Sequence, residues 1–135
     1  MVTSAVENNK RRKAIRDTWG KDHFPSSSKK FQLIYLIGHT LNNTLQRELE
    51  DEHKQFEDIL QESFIDAYSN LTIKSLFMLK YFSRFSTPYG EYLMKVEDDV
   101  YLNKRGVYNL IERNENINFL GGFLYSGASP MRHRR

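Results

Sequence analysis

Tyr92-Leu93-Met94-Lys95-Val96-Glu97-Asp98-Asp99-Val100 is an apolar, β-prone run that delivers three consecutive acids at its end. Adjacent carboxylates repel, so holding them at the tip of a buried strand is unfavourable unless a cation neutralises them. An all-oxygen set of this kind suits a hard divalent ion such as Mn²⁺ or Mg²⁺, and an ion so held would in turn hold phosphate. The alternative is a solvated turn in which Asp98 or Asp99 caps a helix beginning near Val100.

The segments on either side decide what such a strand belongs to. Upstream, residues 70–85 carry Leu71, Ile73, Leu76, Met78, Tyr81 and Phe85 around most of a helical surface, which predicts a largely buried helix. Thr87-Pro88-Tyr89-Gly90 should break it. Downstream, a helix is expected over about 102–113 and a last strand over 117–120. Nearer the start, 10–20 reads as a short basic helix with Ala14, Ile15, Thr18 and Trp19 on its apolar side, and 22–30 as a loop. The continuous apolar run FQLIYLI at 31–37, ending in Gly38, has the β-branched and aromatic content of a buried strand. A charged amphipathic helix follows at 45–56, then a short strand at 58–60 and a loop through Asp66. Strands alternating with helices indicate βαβ units and a mostly parallel sheet. In such sheets ligands bind beyond the carboxyl ends of the strands, where Gly38 and Glu97 to Asp99 would lie.

With 135 residues, 39% of them apolar, the chain is about one domain long and can build one core. Its net charge of +3 comes from 20 basic and 17 acidic residues mixed along most of the sequence, so no nucleic-acid footprint stands out. The basic excess sits in Lys10-Arg11-Arg12-Lys13 and Arg132-His133-Arg134-Arg135, runs that are usually solvated. There is no cysteine, hence no disulfide framework, thiolate site or thiol nucleophile. No stretch of about 18 apolar residues is present, and residues 1–7 lack the apolar core of a signal peptide. Sequons at Asn42 and Asn70 permit a secretory-pathway reading without requiring it, and Asn70 has a competing role as a helix cap.

Phosphate-binding glycine loops are missing: there is neither G-x-x-x-x-G-K-S/T nor G-x-G-x-x-G, which disfavours P-loop and dinucleotide-binding domains. No G-x-S-x-G elbow occurs, and His23, His39, His53 and His133 lack zinc spacing. Trp19 could stack on a base, although a lone tryptophan on a helix face is more often core. Arg16 and Lys74 could meet phosphate or simply cover apolar surface with their stems.

Several of these segments together resemble the β1,3-glycosyltransferase family that includes the β1,3-galactosyltransferases and β1,3-N-acetylglucosaminyltransferases. Residues 12–20, RKAIRDTWG, are similar to the family's R-x-A-I-R-x-T-W-G block, and Tyr35-Leu36-Ile37-Gly38 to its F-L-L-G strand end. Glu52 with FEDIL at 56–60, and SFIDAYSNLTIKS at 63–75, resemble its E, Y-x-D-I-L and D-F-x-D-x-Y-x-N-L-T-x-K-T blocks. YLMKVEDDV at 92–100 with Asn103 fits Y-x-x-K-x-D-D-D-x-x-x-N, the family's form of the DxD motif. Phe82 and Thr87 stand where the family usually has Trp and Cys, and Glu97 stands for the first Asp.

The resemblance implies a Rossmann-like GT-A α/β fold of which residues 1–135 form the donor-binding half. It implies a UDP-galactose or UDP-N-acetylhexosamine donor and Mn²⁺, or Mg²⁺, held chiefly by Asp99 with Glu97. Glu97 and Asp98 would help place the donor's ribose and sugar, and Arg16, Trp19 and Lys74 would lie in or under the nucleotide pocket. The expected activity is inverting β1,3-hexosyl transfer to a glycan acceptor in glycoprotein or glycolipid glycosylation, at the lumenal face of the Golgi membrane. The catalytic base and most of the acceptor surface are expected in a C-terminal half that follows the last block here. An alternative is an inactive truncated product acting as a nucleotide-sugar-binding or interaction module, paired with a related glycosyltransferase chain.

Overall fold

The computed structural model describes residues 1–21, 31–115, 119–122 and 126–127, with backbone alone at 86–89. The chain forms two compact units, Met1–Leu102 and Asn103–Arg135. The elements of the first are β1 (Val2–Thr3), α1 (Asn9–Asp17), β2 (Tyr35–His39), α2 (Asn43–Phe56), β3 (Ile59–Ile65), a 3-10 turn (Tyr68–Asn70), α3 (Leu71–Tyr89) and β4 (Val96–Glu97). The second unit contains α4 (Lys104–Arg113), whose first turn is capped by the Asn103 side chain accepting from the Gly106 N–H at 3.1 Å.

The four strands pair in the order β3-β2-β1-β4, every pair parallel, so the α/β class expected from the alternation of elements is the one observed. The chain winds outward from β1 to β3, then returns through α3 to lay β4 on the other side of β1. That reversal leaves a crevice between the carboxyl ends of β1 and β4, the place where open α/β sheets bind ligands. Val2, Tyr35, Leu36, Ile37 and Val96 are buried, and Ile59 nearly so, which makes the sheet the core of the unit.

α1 attaches to this sheet by charge more than by oil. Asn8, Arg12 and Arg16 recur every four residues and so share one helical face. Arg12 is wholly buried and donates to both carboxylate oxygens of Glu52 on α2, at 2.8 and 2.7 Å, to Ser4 Oγ at 3.1 Å and to the carbonyls of Ala5 and Val6. Arg16 donates to Glu52 and to both oxygens of Asp58 at 2.7 Å, its guanidinium lying 4.8 Å from the centroid of the Tyr35 ring and 4.1 Å from that of Phe56. The Tyr35 hydroxyl donates to the Arg12 carbonyl at 2.9 Å, so the polar face is satisfied throughout.

Several expectations need correction. β1 was not anticipated, because two residues are too short to show a period. The short strand at 58–60 is a seven-residue β3, so Gln61 to Ile65 are strand and not loop. The basic run at 10–13 is not simply solvated, since Arg12 is interior. α3 is far from largely buried: it packs through a stripe that includes Lys74 and Met78, while Ile73, Leu76 and Leu79 are 47%, 61% and 58% exposed. One sheet face can cover one stripe of a helix, and these three positions lie outside it. α3 also runs through Pro88 to Tyr89, stopping at Gly90. The loop expected at 22–30 lies outside the described residues, as does part of the strand expected at 117–120; Phe119 and Leu120 are in no strand.

β2 and β3 slip register between Ile37 and His39, and a Cβ on Gly38 would sit 2.8 Å from the Phe64 carbonyl oxygen and 2.9 Å from Asp66 Cα. Both obstacles are backbone. Gly38→Ala is therefore expected to destabilise the chain by about 1–3 kcal/mol in urea unfolding. Arg12→Ala, which leaves the enclosed Glu52 carboxylate to Arg16 alone, should lose roughly 3–5 kcal/mol in the same measurement. Burial pushes the Glu52 carboxyl up, but hydrogen bonds and charge from Arg12 and Arg16 outweigh it, leaving it below its ordinary 4.5. A carboxyl lowered on folding stabilises the fold above its unfolded value and loses that contribution as pH falls through its folded value. Midpoints measured across pH should thus hold steady down to about 4.5 and decline below it, with a shallower decline in Arg12→Ala.

Candidate functional site

β4 delivers Glu97 beside Thr3 of β1, its register partner, and the following turn carries Asp98 and Asp99 over the crevice. The three neighbouring acids meet three different environments. Thr3 Oγ1 donates to one Glu97 oxygen and the Lys95 ammonium approaches the other at 2.5 Å, with the side chain 46% exposed. Asp98 is buried: its Oδ2 accepts from Ser4 Oγ at 2.7 Å and Asn8 Nδ2 at 2.8 Å, its Oδ1 from Arg11 at 2.9 Å. Asp99 turns outward, 63% exposed, and its ion-pair partner among the described residues is the Arg11 guanidinium at 3.7 Å.

This arrangement resolves the repulsion inherent in the run. Burial pushes the Asp98 carboxyl up, but donation from Ser4, Arg11 and Asn8 more than offsets it, so the group sits below its ordinary range and stays ionised. Glu97 is likewise lowered, burial being outweighed by Lys95 and Thr3. Asn8 occupies the N-cap position of α1, yet its side chain makes no capping bond and serves Asp98 instead.

Among the described residues no three His, Asp or Glu side chains converge on a point that would cage a metal. The donor set nevertheless fits a hard ion carried jointly with a ligand. Such ions are often held by one or two carboxylates, with phosphate oxygens and water filling the remaining positions. Asp99 offers the open carboxylate, Glu97 one partly engaged, and Asp98 already accepts three hydrogen bonds from the protein.

The structure does not bring all the expected residues to the acids. Lys74 is buried under the crevice, its ammonium donating to the Ser4 carbonyl at 2.7 Å and to the Asp66 oxygens at 2.8 and 3.1 Å. Asp66 also accepts from the Gly38 N–H at 3.0 Å, so Lys74 ties together the carboxyl ends of β1, β2 and β3. Trp19 is 5% exposed and donates from Nε1 to the Val100 carbonyl at 3.1 Å, pinning the segment that follows the acids; its ring also packs edge-on against Phe31. Arg16 meets Asp58 and Tyr35, at the amino ends of β3 and β2, the edge opposite the crevice.

Thr3, Ser4, Asn8 and Arg11 are the partners of the acids that sequence reasoning missed. Their signal was slight: a β-branched pair followed by small polar residues, and a basic run whose members cannot be separated until the helix phase is known. Asn103, part of the last block, owes its place to capping α4.

Comparison with known proteins agrees with this architecture. A family model described as Galactosyltransferase matches residues 10–135. Beta-1,3-galactosyltransferase 5 of Gorilla gorilla gorilla is 32% identical over 133 residues, which cover 98% of this chain and 44% of that protein. Human beta-1,3-galactosyltransferase 2 is 32% identical over 128 residues, 91% of this chain and 30% of its own length. Lactosylceramide 1,3-N-acetyl-beta-D-glucosaminyltransferase A of Danio rerio is 30% identical over 142 aligned positions, 98% of this chain and 37% of its own. The chain thus spans less than half the length of these curated relatives. With the family match running from the second residue of α1 through the acid run and beyond, the chain belongs to the galactosyltransferase family.

Proposed function

We propose that this chain is the donor-binding part of an inverting β1,3-hexosyltransferase. It takes a UDP-sugar, UDP-galactose or UDP-N-acetylhexosamine, whose sugar passes to a glycan acceptor in the Golgi lumen. The observation that carries this reading is the sorting of the acids at the switch point, with Asp98 locked inward by Ser4, Asn8 and Arg11 and Asp99 presented outward. Relatives named for β1,3-galactosyl and β1,3-N-acetylglucosaminyl transfer support the reaction class. No helix among the described residues is long and apolar enough to cross a membrane, so the Golgi assignment rests on the family alone.

In this reading Asp99, with Glu97 beside it, holds Mn²⁺ or Mg²⁺. When bound, that ion supplies Lewis-acid stabilisation of the departing diphosphate. Asp98 contributes by fixing the turn, so that the Asp99 carboxylate is already oriented when the ligand arrives. Lys74 and Trp19 act from beneath, holding the strand ends and the segment after the acids, and Arg16 secures α1. Direct attack by an acceptor hydroxyl also needs a carboxylate base near that hydroxyl, a role given to none of the acids described here.

The exposed row Ile73, Leu76 and Leu79 favours a second reading, a non-catalytic nucleotide-sugar-binding or interaction module that packs this face against a related glycosyltransferase chain. Sugar transfer to a glycan acceptor by the purified chain alone would exclude it.

A ligand that binds only the folded state at a hundredfold excess over its Kd adds about 2.7 kcal/mol of stability. UDP is therefore expected to raise the melting midpoint by several degrees, and only with Mn²⁺ present. Asp99→Asn, at an exposed position, should melt like the parent without ligand and lose the Mn²⁺-dependent shift. A shift that survives this substitution would remove Asp99 from the site.

A further inference from the structure

Arg11 stands in the first turn of α1, at the mouth of the crevice, with its side chain 51% exposed. One guanidinium nitrogen reaches Asp98 at 2.9 Å and lies 3.7 Å from Asp99. Among the described residues no other hydrogen bond or ion pair engages this side chain, so Nε and the second terminal nitrogen keep their protons for a ligand. We propose that Arg11 is an exchangeable resident cation of the acid cluster. It partly neutralises Asp99 in the free chain, yields Asp99 to a divalent ion, and turns its remaining N–H groups to the phosphates that the ion carries.

The inference rests on the donor-site reading above and adds a residue to it. A guanidinium is a planar fork suited to bidentate contact with phosphate oxygens, and it does not lose its charge on burial or pairing. Tethering by Asp98 restricts the side chain beforehand, so less freedom is lost when phosphate binds. The open amide groups of the first turn of α1 add a field of the same sign at the same place. The two roles also oppose each other. A positive charge beside Asp99 competes with a divalent ion that arrives alone, yet assists one that arrives with a diphosphate.

That opposition makes a test with two signs. Mn²⁺ binding alone is followed by electron paramagnetic resonance, and UDP binding at saturating Mn²⁺ by calorimetry. Arg11→Gln leaves Asp98 held by Ser4 and Asn8, so the chain should fold. It is expected to bind Mn²⁺ more tightly, by up to about thirtyfold, the effect of removing a unit charge about 4 Å from a divalent ion in solvent, and UDP about tenfold more weakly through loss of a charge-assisted contact. Arg11→Lys keeps the charge without the fork, and should return Mn²⁺ affinity to near the parent value while restoring only part of the UDP affinity. It also serves as the readout if Arg11→Gln fails to fold. Uridine, which has no phosphates, should bind all three proteins alike. Parent and Arg11→Gln binding UDP equally, or both affinities moving in the same direction, overturns the role of Arg11 and leaves the donor site standing. Failure of the parent chain to bind UDP with Mn²⁺ overturns both.

Discussion

The guanidinium of Arg12 is the contact from which the rest of the site hangs. It is fully buried and joins three pieces that no apolar contact would hold in register: Glu52 on α2, the Ser4 hydroxyl at the end of β1, and the carbonyls of the turn that leads into α1. A buried charge with its donors this fully placed is specific in a way that oil is not, because a small displacement leaves groups unpaired in a medium that penalises them. Ser4, once fixed, presents its hydroxyl to Asp98 and its carbonyl to Lys74. The position of the acid turn is therefore set by a helix whose own seat is ionic.

From that base, three adjacent carboxylates are separated by environment and not by distance. Asp98 takes the interior place and its donors, Glu97 is shared between Thr3 and Lys95, and Asp99 is left to solvent and to Arg11. Repulsion along the chain becomes division of labour: the buried acid supplies geometry and the exposed one, in the proposed function, meets the cation. The family match gives this arrangement its setting, while the crevice between β1 and β4 gives it a location that follows from strand order alone.

Much of this was legible in the residues, for reasons that can be stated. The apolar run before Gly38 favours a buried strand, and 35–37 of it are one, although 31–34 are not and the strand runs on through Gly38 to His39. Acids that follow a strand lie at its carboxyl end, which a parallel sheet makes the ligand side. What stayed hidden depended on side-chain phase and reach. β1 offers two residues and no period, so its partnership with Glu97 had no signature. Arg11 and Arg12 are neighbours in a basic run, yet the helix turns one toward the crevice and the other into the interior. Arg16 and Lys74 could each meet phosphate or cover apolar surface with their stems as far as the sequence goes; Asp58 and Asp66, which engage them, become neighbours only in the folded sheet. The helix expected over 70–85 reads as buried because apolar residues surround it, but the sheet face beneath it contacts a single stripe.

The polar ladder of α1 also governs how this sequence can drift. An apolar contact tolerates exchange one residue at a time, since volume lost at one position is recovered by small movements around it. Arg12, Glu52, Arg16 and Asp58 have no such path. Changing any one leaves an enclosed charge with fewer partners or none, whereas replacing opposed members together by well-packed apolar residues can be nearly neutral. The intermediates, not the endpoints, are the barrier, so this part of the molecule is expected to change in coupled steps across separate segments of chain while the exposed faces of α2 and α3 vary freely around it.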